Sequence, residues 1–159
     1  MGQQVNVYES LNFYSSTGPK LSTKFASVEV TSAELLALFT TPKTLVAAPG
    51  AGKVLQFDSM IVSYDYGATA YTIGTAGSFQ VKYTDGSGQA VSEARASNGF
   101  ISASSDIIWM CPSINAASGG GGGGAANAPL VLALATANPT LGDGVLHIRI
   151  FYNVIDTGL

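Results

Sequence analysis

Apolar and polar positions alternate along much of this chain. Phe79, Val81 and Tyr83 take one parity against Ser78, Gln80, Lys82 and Thr84, the period of a strand with one buried face. Asp85-Gly86-Ser87-Gly88 follows, a run that tolerates positive φ, so an antiparallel return over Ala90–Ala94 is expected. The longest clear strand is Val145–Ile155. Leu146, Ile148, Ile150, Tyr152 and Val154 share one of its faces, and Val145, His147, Arg149, Phe151, Asn153 and Ile155 share the other. This second face mixes polar with large apolar groups. A partner is expected to cover part of it, which makes His147, Arg149 and Phe151 candidate interface residues.

Lys53–Tyr66 is also extended, but its alternation slips. Leu55, Phe57, Ser59 and Ile61 share a parity, then Met60, Val62, Tyr64 and Tyr66 take over on the other, and a bulge near Asp58-Ser59 reconciles the halves. Shorter strands are expected at Val5–Tyr14, Phe25–Val30, Lys43–Ala47, Phe100–Ala103, Ile107–Met110 and Leu130–Leu134. One helix of about two turns is predicted. Thr31-Ser32-Ala33-Glu34 matches a capping box, Leu35, Leu36, Leu38 and Phe39 supply its apolar face, and Pro42 stops it. Ser118 and six glycines, Gly119–Gly124, read as an exposed flexible loop spanning 116–126 between two strands. Many short strands with Gly and Pro at the turns predict an all-β fold, an antiparallel β-sandwich or jelly roll with one short helix.

Composition narrows the chemistry. The chain has 7 Lys and Arg, 10 Asp and Glu, one His and one Cys among 159 residues. Soluble domains carry roughly a quarter charged residues, so solubility here must come from Ser, Thr, Asn, Gln and Gly. Catalysis and metal binding draw on the side chains that are scarce; no enzymatic activity, metal or other cofactor is expected. A net charge of −3 with scattered cations argues against nucleic acid as a partner. The longest apolar run, Pro129–Ala137, is far below the ~18 residues of a membrane span. Met1–Asn6 lacks the pattern of a signal peptide, and Asn6 stands where myristoylation requires Ser or Thr. A soluble chain made in a cytoplasm is expected.

Each tempting motif has a plainer reading. Pro49-Gly50-Ala51-Gly52-Lys53 echoes a phosphate loop, but Ala47 and Val54 stand where Gly and Ser or Thr are required, so a tight turn is expected. His147 has no neighbouring His or Cys, and an interface histidine fits better than a ligand. Asp58, Asp65, Asp85, Asp106 and Asp143 are read as turn residues, with Asp85 and Asp143 expected to bond their own backbone. Phe13, Tyr14, Tyr64, Tyr66, Tyr71 and Trp109 offer material for a sugar-stacking platform, against which stands the usual role of strand aromatics as core. Cys111, in Ile-Ile-Trp-Met-Cys-Pro, is read as a buried thiol.

The segment Thr41-Pro42-Lys43-Thr44-Leu45-Val46-Ala47-Ala48-Pro49-Gly50-Ala51-Gly52-Lys53-Val54 resembles one recurrent in small structural proteins of tailed bacteriophages. As in those chains, it runs into a strand ending at a turn of the kind Tyr64-Asp65-Tyr66-Gly67. Asn138-Pro139-Thr140-Leu141-Gly142-Asp143-Gly144 before Val145–Val154 is similar to their C-terminal region. The likeness spans about residues 28–156, and capsid decoration (cement) proteins are the group it most resembles. It implies a jelly roll or β-sandwich over 17–159 that forms a homotrimer, or a dimer, on the outer surface of a virion and bridges neighbouring major capsid protein subunits. An extended N-terminal arm over 1–16 would then contact a neighbour through Val5, Val7, Leu11 and Phe13, which share one parity. The alternative is a glycan- or receptor-binding module of a phage fibre or spike.

Overall fold

The two halves of the chain pair with each other in nested order. The computed structural model describes residues 23–75, 77–114 and 124–158. Its strands are β1 (Lys24–Val30), β2 (Lys43–Val46), β3 (Lys53–Asp65), β4 (Ser78–Tyr83), β5 (Arg95–Ala96), β6 (Ile107–Pro112), β7 (Leu130–Leu134) and β8 (Val145–Asp156), with one helix, α1 (Ser32–Leu35). β1 pairs with β8, β2 with β7, β3 with β6 and β4 with β5, all antiparallel. Two further pairings, β3 with β8 and β4 with β7, gather these into a front sheet of order β1-β8-β3-β6 and a back sheet of order β2-β7-β4-β5. The fold is all-β and of sandwich type, with one core drawn from both sheets.

Alternation explains which residues meet in that core. Leu146, Ile148 and Ile150 of β8 are buried while His147 and Arg149 are exposed, and Phe79, Val81 and Tyr83 of β4 face the front sheet. In β3 the ladder skips a residue: Phe57 pairs with Tyr152 and Ser59 with Phe151, leaving Asp58 as the bulge. The skip lets Leu55 and Phe57 share the core with Met60, Val62 and Tyr64 despite the change of parity. The Asp58 carbonyl is not left idle, since it accepts from Ser113 N at 3.2 Å. The Tyr83 hydroxyl donates to the Leu55 carbonyl, a buried bond that ties the back sheet to the front. All five residues of β7 are buried. Leu130, Leu132 and Leu134 join the core, and the Gly86 turn and Pro42 lie over Ala133 on the other side.

The capping box forms as expected. Glu34 N donates to Thr31 Oγ1, and Thr31 N donates to Glu34 Oε2 at 2.9 Å. The α-helical part is shorter than the two turns expected. It gives way after Leu35 to hydrogen-bonded turns that run to Thr41, with Asn138 Oδ1 accepting from Phe39 N and Thr40 N. Leu35 and Leu38 enter the core, but Phe39 stays exposed.

Two expected strands differ. Phe100–Ala103 is a turn: Phe100 N and Ile101 N both donate to Ser97 O, and Gly99 takes φ +74°. Phe100 still plugs the core, edge-on to Phe79 at 5.7 Å and to Trp109 at 5.9 Å. The return over Ala90–Ala94 shrinks to a bridge of Ala90 with Lys82, and the ladder resumes only at β5. Between them the Ser92 hydroxyl accepts from Val81 N, taking the place of a backbone carbonyl. The arm over 1–16 and most of the glycine-rich loop lie outside the described residues.

Phe100→Ala is expected to lower unfolding free energy by about 3–5 kcal/mol, read as a shifted denaturant midpoint at unchanged slope. Glu34 makes a smaller contribution. Hydrogen bonds from Lys43 and from the Thr31 amide hold its carboxyl below the ordinary value. A depressed folded value means that the stabilisation is complete above the ordinary carboxylate range and is lost as pH falls through the folded value. Both side chains are partly exposed, so screening keeps the effect small. Glu34→Gln should flatten that part of the acid limb in a plot of Tm against pH.

Candidate interaction face

The outward positions of the front sheet form a continuous surface. β8 lies between β1 and β3, and the ladder sets its outward residues in rows. One row is Phe25, Phe151, Ser59 and Pro112. The next is Ser27, Arg149, Ile61 and Met110, and the third is Glu29, His147, Ser63 and Ile108. Large apolar groups stand in water there: Phe25 is 64% exposed, Ile61 37%, Ile108 70% and Met110 72%. Strand spacings of ~4.8 Å and row spacings of ~6.7 Å make the three rows about 400 Å². Large apolar side chains exposed together within a polar surround often mark an interaction site.

Within the three rows the charged groups lie on β1 and β8. The rings of Phe25 and Phe151 stand 6.4 Å apart, and the Arg149 guanidinium lies 5.6 Å from the centre of the Phe25 ring. Arg149 forms no salt bridge with another described residue. His147 stands between two carboxylates, with Nδ1 3.8 Å from Glu29 Oε2 and Nε2 3.9 Å from Asp65 Oδ2. These are electrostatic contacts rather than hydrogen bonds, and the carboxylates approach opposite edges of the ring. No cluster of three metal-ligating side chains occurs among the described residues. Arg149, His147, Ser27 and Ile61 border a shallow depression of about 440 Å³. Such a surface can pack against apolar groups and offer one cation to an acid.

The face thus brings together His147, Arg149 and Phe151. Val5, Val7, Leu11 and Phe13 lie outside the described residues. Sequence reading missed Phe25, Ile61, Ile108 and Met110. Ile107–Cys111 is apolar at every position, a pattern equally expected of a strand buried on both faces, as β7 is. Only the register of β6 against β3 sets Ile108 and Met110 on the outward face, beside Ser63 and Ile61, where they are exposed.

The remaining candidates are structural. Gly50 and Gly52 take φ of +100° and +69°, and Lys53 N donates to Gly50 O, so the phosphate-loop echo is a tight turn into β3. Asp85 accepts from Ser87 N and Gly88 N, as expected of a turn. Asp143 departs from expectation. It accepts from Ala68 N and Thr69 N, some 75 positions away, rather than from its own turn. Asp106 likewise accepts from Tyr66 N at 2.9 Å. Tyr64 and Tyr71 are buried, Trp109 packs against Phe100, and the Tyr66 hydroxyl donates to Ala68 O. These aromatics do not assemble into an exposed platform; Phe13 and Tyr14 lie outside the described residues.

No protein-family model, curated protein or solved structure matches this chain. No helix among the described residues is long and apolar enough to cross a membrane.

Cys111 sits on the inward side of β6, and burial pushes its thiol up to about 11. A thiol reagent at pH 8 should therefore modify the native chain far more slowly than the denatured chain. Equal rates would show Cys111 to be accessible.

Proposed function

We propose that this chain is a structural virion protein that decorates a bacteriophage capsid and stabilises it by bridging major capsid protein subunits. The observation that carries this reading is the outward face of the front sheet, where Phe25, Ile61, Ile108 and Met110 are exposed beside few charges. Such a surface docks with little desolvation of ions, and many copies multiply a modest contact. The segments that resemble phage structural proteins support the same reading. The nested pairing of β1 with β8, β2 with β7, β3 with β6 and β4 with β5 is the pairing of a long hairpin rolled up, which supports a jelly-roll winding. On this reading the protein is a homotrimer on the outer capsid surface and needs no cofactor, nucleic acid or membrane. The glycan- or receptor-binding alternative draws no support from Tyr64, Tyr71 and Trp109, which pack inward.

Purified protein should bind expanded capsids that lack it and raise their thermal tolerance. Met110→Lys and Ile108→Lys, at exposed positions that leave the fold intact, are each expected to weaken binding about tenfold, the loss of one anchor worth ~1–2 kcal/mol. Absence of binding to heads, or binding to tails alone, would remove the proposal.

A further inference from the structure

One edge of the front sheet is open over a short stretch of β6. Residues of an antiparallel ladder point their N–H and C=O alternately to one neighbour and to the other. Pro112 O accepts from Glu93 N at 3.2 Å and Ile114 N donates to Val91 O at 2.9 Å, both on the side of β6 away from β3, whereas Ser113 N donates to Asp58 O. By the same alternation the N–H and C=O of Ile108 and of Met110 point away from β3. No backbone partner meets these four groups among the described residues. The neighbouring segment leaves β6 after Glu93, and Arg95 pairs with Phe79 of β4 instead.

Burial follows the same boundary. Cys111, beside Glu93, is 1% exposed, yet Ile107 and Trp109 on the same inward side are only half-buried. On the outward side Ile108 and Met110 are 70% and 72% exposed, against 37% for Ile61 one strand further in. Natural sheet edges are ordinarily guarded by charge, proline or a bulge. The opposite edge, β1, carries Lys24 and Glu29. Ile107–Cys111 has neither charge nor proline, and its ladder with β3 runs without a shift.

We infer that β6 pairs antiparallel with β6 of a second copy about a two-fold axis at Trp109, joining two four-stranded front sheets into one. The open stretch selects this occupant and its register. Setting Ile108 opposite Met110 of the second copy satisfies all four groups on each strand and lays the exposed side chains beside each other. Ile108 opposite its own copy would bring Met110 against Asp106, which lies outside the strand. Met110 opposite its own copy would bring Ile108 against Pro112, which has no N–H and whose carbonyl is taken. In the chosen register the last pair is Cys111 with Ile107 of the second copy. Beyond it, where Val91 to Glu93 hold the edge, the incoming chain is already leaving its strand through the bends at Ser104 and Ser105. A longer foreign strand would run into that segment. The charges of the outward rows lie on β1 and β8, clear of the seam. Such a contact is isologous and closes at two copies, so it adds to any three-fold contact made elsewhere on the chain. It rests on the backbone edge of β6 and not on the capsid reading.

The test uses the full-length protein without capsids, so its failure is separate from any failure of the capsid reading. The contact is at the small end of protein interfaces, and between about 5 and about 500 μM the sedimenting mass should double. Over the same range amide exchange at Ile108 and Met110 should slow several-fold, with Trp109, which bonds to β3, as the internal reference. Ile108→Lys combined with Met110→Lys should abolish the doubling, because like charges then face each other across the seam. Ile108→Lys combined with Met110→Glu should retain it, because opposite charges do. A constant mass would overturn the proposal, as would exchange at Ile108 and Met110 that is indifferent to concentration, or doubling that survives the paired lysine substitutions. Loss of the doubling in the Lys and Glu combination as well would reject the register. Should a variant fail to fold, exchange in the parent chain decides alone.

Discussion

The ladder between β3 and β8 is the constraint on which the rest of the structure depends. It runs from Lys53 against Asp156 to Asp65 against Val145 and joins strands some ninety residues apart in the chain. Its inward residues, Leu55, Phe57, Met60, Val62 and Tyr64 with Leu146, Ile148 and Ile150, form the front half of the core. Its outward residues, Ile61, Arg149 and Phe151, form the middle of the exposed face. Core and candidate interface are therefore two sides of one ladder. A slip of one residue would exchange them, turning Arg149 inward and Ile148 out. The bulge at Asp58 prevents that exchange midway along β3, by absorbing the one position at which the alternation fails.

Scarcity of charge gives this arrangement its consequence. A sheet face in water ordinarily carries charged and polar residues, and here the outward rows hold aromatic, aliphatic and hydroxyl groups with their charge on β1 and β8. Uncharged groups lose little hydration energy when covered, so the face is suited to association. The acids illustrate the other side of the same economy. Asp85, Asp106 and Asp143 are spent on backbone amides, where a carboxylate secures a loop, rather than gathered into a site.

Much of the fold was legible because its signals are local. The alternation in β4 and β8, the apolar run of β7, the parity slip at Asp58 and the Thr31–Glu34 capping box all appear in short windows of sequence. The misreadings came where a short window admits two outcomes. Phe100-Ile101 supplies apolar groups to the core equally well from a turn. The Ser92 hydroxyl replaces a backbone partner in the middle of a return that composition makes continuous. Asp143 looks like a residue of its own turn until the loop at Ala68 and Thr69 is brought beside it.

By itself the sequence determined that this is a β protein, which residues of β4 and β8 face inward, where the chain turns, and that ionisable side chains are scarce. Parity and turn chemistry are properties of neighbours along the chain, so they survive without a structure. Only the tertiary structure decided that β6 is an edge strand with Ile108 and Met110 in water, that Arg149 stands among apolar neighbours, and that Tyr64 and Tyr71 are core. Those outcomes depend on which strands lie side by side, and that order is set by contacts between residues far apart in the chain.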